Sequence, residues 1–491
     1  MTPESGERGV GKHGFVRDHG LLDAEQRDAG RRSIERIEEH GLRTVRMIWV
    51  DQHGVPRCKF MSAVDYISSL ENGIDFSAAL FNMDTANKVF TPLFAEGGGL
   101  GIPELTGFPD MVLVPDPSTF CVLPYADRSG WVVTDAYFSN GRAIPIDARR
   151  LLRQQVAAGE EMGFDFVAGL EVEFYVVRRD SDRIELDETG WPPPAPKVSV
   201  IEQGYQYLSE SRLGSINHLV ERMRDAYLGL GLPLRSIEDE WGPGQIEVTF
   251  EPMTGLGAAD AMVLFRSATK QVAGELGMHA TFMCRPGLPN FFSSGWHLHE
   301  SLRDRATGKN AFTSSSASDR LSETGRRFVA GVLEHAIPMT VFTTPTINGY
   351  KRFKPYSFAP DRVTWANENR GTMMRVQGDP LEKGAHVENR LGEPAANPYL
   401  YLAANLAAGL DGVRRKLEPP PIVEADPYSA DAPALPASLW EAVDALDGDA
   451  FFRETFGDSF VDFIVGAKRN EISRFLSEVT DWEMREYFEF Y

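Results

Sequence analysis

The sequence has little of three things, and each scarcity excludes something. Cysteine occurs only three times in 491 residues, at Cys58, Cys121 and Cys284. That is too few and too scattered for a disulfide framework or a CxxC zinc site, which points to a reducing compartment and a cytoplasmic location. No run approaches the roughly 18 uninterrupted apolar residues of a membrane span. The opening MTPESGERGVGKHGFVRDHG has no apolar core of a signal peptide, so neither membrane insertion nor secretion is expected. Positive charge is outnumbered, 50 Lys+Arg against 71 Asp+Glu for a net charge of −21, which argues against a nucleic-acid partner.

What is present is 42% hydrophobic and 25% charged residues, the balance of a globular chain long enough for two or more domains. Residues 1–20 lack apolar periodicity and read as a mobile tail, whereas 24–41 has helical spacing. TVRMIWVDQHGVPRCKFMS alternates apolar and polar residues on both sides of Asp51-Gln52-His53-Gly54 and reads as a hairpin. The short strands MVLVP, FCVLPY and GWVVTDAYF follow, so residues 21–140 form a small strand-rich domain. Asp147 is placed to cap a helix that opens a larger α+β domain, residues 141–491. There, strands (FVAGLEVEFYVV, GQIEVTFEP, HATFMCRP, GWHLHESL, TMMRVQ, HVENRL) alternate with helices near 215–230, 256–277, 320–336 and 398–416. EPPPIVEADPYSADAPALP reads as a linker. Gly97-Gly98-Gly99-Leu100-Gly101 matches neither GxxxxGK[ST] nor GxGxxG and reads as a mobile loop.

Strand alternation places Glu171 and Glu173 on one sheet face, and the same holds for Gln245, Glu247 and Thr249, for His297 and His299, and for His386, Glu388 and Arg390. Acids or imidazoles on one face of four strands are hard to attribute to solvation. Oxygen-rich sets with at most one histidine suit Mg²⁺ or Mn²⁺ better than zinc. Lys351-Arg352, Arg370, Arg375 and Arg390 add cations nearby, the combination that phosphoryl transfer uses.

EVEF, EWGPGQIE, SGWHLHES, NGYKRF, NENRGTMMR, HVENR and PAANPYL occur in an order and spacing that resembles the glutamine synthetase catalytic domain, over roughly residues 35–491. The resemblance implies a β-grasp N-terminal domain followed by a large catalytic domain with a curved antiparallel sheet and flanking helices. It also implies ATP as co-substrate, two or three Mg²⁺ or Mn²⁺ ions, phosphorylation of the γ-carboxylate of L-glutamate, and a dodecamer of two stacked hexamers. Residue by residue, Glu173, Glu240 and Glu247 match ligands of the ion at the attacked carboxyl, with Glu238 and Asp239 close enough to stand in for Glu240. Glu171, His297 and Glu388 match those of the ion on the phosphates. His299, Ser301 and Arg375 match phosphate contacts, Arg370 the residue stabilising the transferring group, and Arg352 and Arg390 the glutamate holders.

The departures from the family pattern bear on the nucleophile. The flap P-G-Y-E-A-P becomes Pro355-Tyr356-Ser357-Phe358-Ala359-Pro360, so Phe358 replaces the proton-accepting Glu. The F-D-G-S-S segment, supplied by a neighbouring subunit, becomes Phe76-Ser77-Ala78-Ala79-Leu80, with Ser77 at the Asp and with Asp75 and Asp84 as alternative carboxylates. Desolvating ammonium beside Phe and Ser is costly. The expected nucleophile is therefore an organic amine with apolar bulk, best an arylamine neutral at pH 7 and able to stack on Phe358 or Tyr356. An alkylamine, a polyamine and ammonia itself are the alternatives, and a non-catalytic relative is the rival of another class. Phe292-Ser293 replace the usual Asn-Gly near the glutamate amino group, and the family's N-L-Y adenylylation motif is missing, Tyr428 being the only nearby tyrosine.

Overall fold

The computed structural model describes residues 14–95 and 98–491. Most of the expected tail, residues 1–13, and Gly97 of the glycine-rich loop lie outside the described residues. The tail reading needs correction beyond them. Phe15–Asp18 form a helical turn that buries Phe15 and Val16 against Val112 and Val114, so apolar contact begins before residue 20 even without periodicity.

β1 (Thr44–Val50), β2 (Pro56–Ser62), β3 (Ile74–Ser77), β4 (Asp110–Pro115), β5 (Cys121–Val122) and β6 (Ser129–Tyr137) make the first sheet. Its order is β2-β1-β6-β4-β3, with β5 on β6. β1 and β2 form the expected hairpin, β1 lies parallel to β6, and helix Ala63–Asn72 follows β2. Only two residues of FCVLPY pair, because the chain turns at Pro124.

The second sheet contains β7 (Phe164–Arg179), β8 (Val198–Val200), β9 (Leu234–Asp239), β10 (Gln245–Phe250), β11 (Met253–Thr254), β12 (Met278–Thr281), β13 (Trp296–Asp304), β14 (Trp365–Asn367), β15 (Met374–Gln377) and β16 (His386–Asn389). The main path is β14-β15-β16-β13-β7-β10-β9, antiparallel except for β14 beside β15. β7 is its axis. Leu170, Val172 and Phe174 are buried on one face, over which helices Ala148–Glu161 and Gly257–Glu275 pack, with Pro398–Arg415 behind them. The opposite face carries Glu171 and Glu173. Burial of the apolar set fixes the register, since a slip of one residue would move every acid into the core.

Asp147 caps helix Ala148–Glu161 by accepting from the Arg150 N–H at 3.0 Å, and it also accepts from the Trp49 indole at 2.8 Å. One apolar cluster runs from Trp49 and Trp131 of the first sheet to Phe166 and Val172 of the second. A helix at Ala336–Thr343 goes beyond the sequence reading. Its residues AIPMTVFT have no polar stripe and include a proline, so packing rather than amphipathic spacing carries it.

Candidate active site

Strand pairing brings the sequence motifs together on the open face of the second sheet. His297 on β13 lies opposite Glu171 on β7, Glu247 on β10 opposite Glu173, and Glu388 on β16 opposite His299. Arg375 on β15 pairs in turn with Glu388, and Glu238 on β9 with Glu247. The turn that aims β10 needs its glycines. A Cβ at Gly242 would sit 1.9 Å from the Tyr175 hydroxyl, and Gly244 has φ +77° with Val176 O only 2.3 Å from a Cβ position. Glu202 accepts from the Gly204 and Gly244 N–H groups and anchors the same turn.

Among the described residues, two groups have ligand atoms within 4.8 Å of one another: Glu171, His297 and Glu388, and Glu173, Glu247 and His297. The first is the set expected from sequence. The second joins Glu173 and Glu247 of the other expected set to His297, while Glu240, whose carboxylate accepts the N–H of Trp241 at 3.1 Å, lies close enough for the charge of Glu173 to act on it.

The carboxylates differ in how their charge is balanced. Burial opposes ionisation of Glu171, yet hydrogen bonds from His297 Nδ1 at 2.6 Å and His299 Nε2 at 3.0 Å hold it well below the usual carboxylate range. Glu388 is likewise buried but held at about 2, chiefly by Arg390. It accepts from Arg390, from Arg375 at 3.0 Å and from Gln377 at 2.8 Å. By contrast, Glu173 is pushed up by burial, although Gln245 donates to it at 3.0 Å. Burial and the neighbouring Glu173 push Glu240 up to about 8, and burial with Glu171 and Glu173 pushes Glu247 well up. The β7–β10 end therefore concentrates carboxylates that repel one another. Such an oxygen-rich donor set with one imidazole fits Mg²⁺ or Mn²⁺.

Most of the remaining expected residues lie around this face, and Ser77 does not. Arg352 lies 3.3 Å from His297 Nε2 and donates to the Arg390 carbonyl at 2.8 Å. Gly295 makes room for it, since a Cβ there would be 2.7 Å from the guanidinium. Ser301 shares the His297–His299 face of β13. Arg370 is exposed on the turn between β14 and β15, and its charge acts on Tyr207, whose ring stacks on Trp241 at 5.4 Å. Phe358 is 65% exposed, and its carbonyl accepts from Arg390 at 3.1 Å. Ser77 lies on β3 in the other sheet, its hydroxyl accepting from the Ala79 N–H. Gln377 and Glu368, which bond Glu388 and Arg375 at 2.8 and 2.7 Å, escaped the sequence reading. Gln377 was findable because it lies two residues from Arg375 on β15 and so shares its face.

The glutamine synthetase catalytic-domain pattern matches residues 145–487. The chain is 41% identical to gamma-glutamylanilide synthase of an Acinetobacter species, over 96% of this chain and 98% of that protein. It is 32% identical to glutamate–isopropylamine ligase of a Pseudomonas species, over 92% and 96%. It is also 34% identical to glutamine synthetase of Thermus thermophilus, over 78% and 85%. The solved structure of apo GmaS superposes with a TM-score of 0.78 at 28% identity, covering 93% of this chain and 99% of that one.

Proposed function

The chain belongs to the glutamine synthetase family of carbon–nitrogen ligases, and from that premise we propose that it joins L-glutamate to an apolar, preferably aromatic, amine. ATP-dependent ligation of glutamate follows from the family. The observation that carries the choice of amine is Phe358, an exposed ring at the flap position whose carbonyl is tied through Arg390 to the Glu388 end of the cleft. Two of the relatives are named for anilide and isopropylamine, in keeping with apolar amines.

In this reading Arg352 and Arg390 hold glutamate, and His299, Ser301 and Arg375 hold the ATP phosphates. Glu171, His297 and Glu388 would hold one divalent ion and Glu173, Glu247 and Glu240 another. When bound, the ions neutralise phosphate and carboxylate oxygens. Arg370, exposed on its turn, stabilises the transferring phosphoryl group. The γ-carboxylate oxygen takes the γ-phosphoryl group of ATP and ADP is released. The amine nitrogen then attacks the γ-carbonyl of γ-glutamyl phosphate; a C–N bond forms, the C–O bond to phosphate breaks, and the proton lost by the nitrogen goes to the departing phosphate or to water. Phe358 cannot accept that proton, so an amine already neutral at pH 7, which has no proton to lose before attack, is the better nucleophile.

Ser77 pairs with Asp110 in the first sheet and its hydroxyl accepts from the Ala79 N–H; in this reading it completes the amine pocket of a neighbouring subunit in a head-to-tail ring, two of which stack as hexamers. Light scattering tests the assembly. The substrate reading is tested by phosphate release with glutamate, ATP and a panel of arylamines, alkylamines, polyamines and ammonium. Arylamines should give the highest kcat/KM, and a preference for ammonium or polyamines would overturn the reading.

A further inference from the structure

The segment carrying Phe358 is held from two directions. Arg390 donates to the Phe358 carbonyl at 3.1 Å, and the Tyr428 hydroxyl donates to the next carbonyl, that of Ala359, at 3.2 Å. Tyr428 belongs to the short turn Pro427–Ser429, inside the stretch that reads as a linker. The contact is reinforced around it. Tyr356 donates to Asp426 at 2.9 Å, the Tyr356 and Tyr428 rings lie 4.8 Å apart, and Arg362 Nε donates to the Tyr428 carbonyl at 3.0 Å. Between these anchors the backbone is strained, with φ 59° at Tyr356 and 60° at Phe358. Bulky residues occupy that left-handed region only where their surroundings impose it.

We propose that Tyr428 is a positioning residue for amine selection: its hydroxyl, together with Arg390, pins two successive carbonyls and so holds the Phe358 ring as a fixed wall of the amine pocket. The proposal rests on reading Phe358 as that wall. A free loop would leave the strained conformation and let the ring swing, and the site would lose apolar selectivity before it lost the ability to phosphorylate glutamate. Tyr428 itself bonds Ala359 and Arg362 and not the His299 and Ser301 end of β13, so removing its hydroxyl takes no contact from the nucleotide side.

The test is Tyr428→Phe in the full-length protein, which keeps the ring and removes the hydrogen bond to Ala359. Hydrogen exchange at amides 356–362 should quicken. KM for the best apolar amine should rise about three- to tenfold, the scale of one lost hydrogen bond, and KM for ATP and glutamate should not change. Unchanged exchange together with unchanged amine KM would overturn the proposal, as would a loss of kcat uniform across all amines, which is what a merely structural role predicts. If the wild type shows no preference for apolar amines, the substrate reading fails instead, and exchange alone decides the latch: faster exchange upholds it as the loop anchor and unchanged exchange removes it.

Discussion

Two regions of the molecule bury several charges each, and they are built in opposite ways. Around Arg149, in the first turn of helix Ala148–Glu161, the guanidinium bonds Asp116 at 2.8 Å, Asp135 at 2.8 Å and Asp260 at 2.8 and 3.0 Å. Arg153 reaches Asp135 at 2.7 Å and Tyr399 donates to Asp260 at 2.6 Å. Every acid has a donor, and despite burial Arg149 holds Asp116 far below the usual carboxylate range. In the cleft, Glu173, Glu240 and Glu247 are packed with acids as neighbours and are pushed the other way. A cluster balanced by its own side chains serves the fold. A cluster that stays out of balance is poised for a cation brought with the substrates.

The largest effect expected from this contrast is on stability. Arg149→Met should cost about 3–5 kcal/mol in denaturant unfolding, the scale for stranding buried carboxylates by removing their partner. A loss below about 1 kcal/mol would mean that the two clusters are not different in kind. Next is metal. Adding Mg²⁺ at a hundredfold excess over its Kd should stabilise the wild type by about 2.7 kcal/mol, with EDTA abolishing both that gain and phosphate release. Glu173→Gln should lose most of the gain, and Arg149→Met should keep it. A wild type whose unfolding ignores both Mg²⁺ and EDTA would contradict the cation reading.

A third difference lies in pH dependence. Glu240 is raised in the folded state to about 8, so in EDTA the folded protein binds the extra proton and stability falls as pH rises from the unfolded carboxylate range towards 8. Asp116 is depressed, so its contribution is present above that range and is lost as pH falls through and below it. The two slopes have opposite signs, and saturating Mg²⁺ should flatten only the first. An unchanged profile with and without Mg²⁺ would detach the cleft acids from metal binding.

Much of this contrast was legible in the sequence, for a specific reason. Alternation alone puts Glu171 with Glu173 and His297 with His299 on one face of their strands; their meeting with each other and with Glu247 was implied by the family resemblance, and the pairing of β10, β7 and β13 brings them together. What spacing does not encode is the balance. Gln377 on Glu388, Gln245 on Glu173 and the approach of His297 to Glu173 and Glu247 depend on side-chain reach across strands. The hub is less legible still, since Asp116, Asp135, Arg149 and Asp260 come from separate elements and form no motif. The Tyr428–Ala359 bond joins residues 69 apart through two loops, one of which reads as a linker. Loop-to-loop contacts carry no periodicity from which to infer them.

The central claim is that the cleft acids are held for catalysis and not for the fold, and Glu247→Gln tests it most directly. The amide is isosteric with the protonated form that burial and neighbouring acids favour, so in EDTA the variant should unfold at the same denaturant concentration as wild type or a higher one. With Mg²⁺, ATP, glutamate and the best amine, its phosphate release should fall at least about 10²-fold, as when a group serving transition-state charge is lost. A Glu247→Gln variant that is destabilised in EDTA yet turns over at near-wild-type rate would contradict the account.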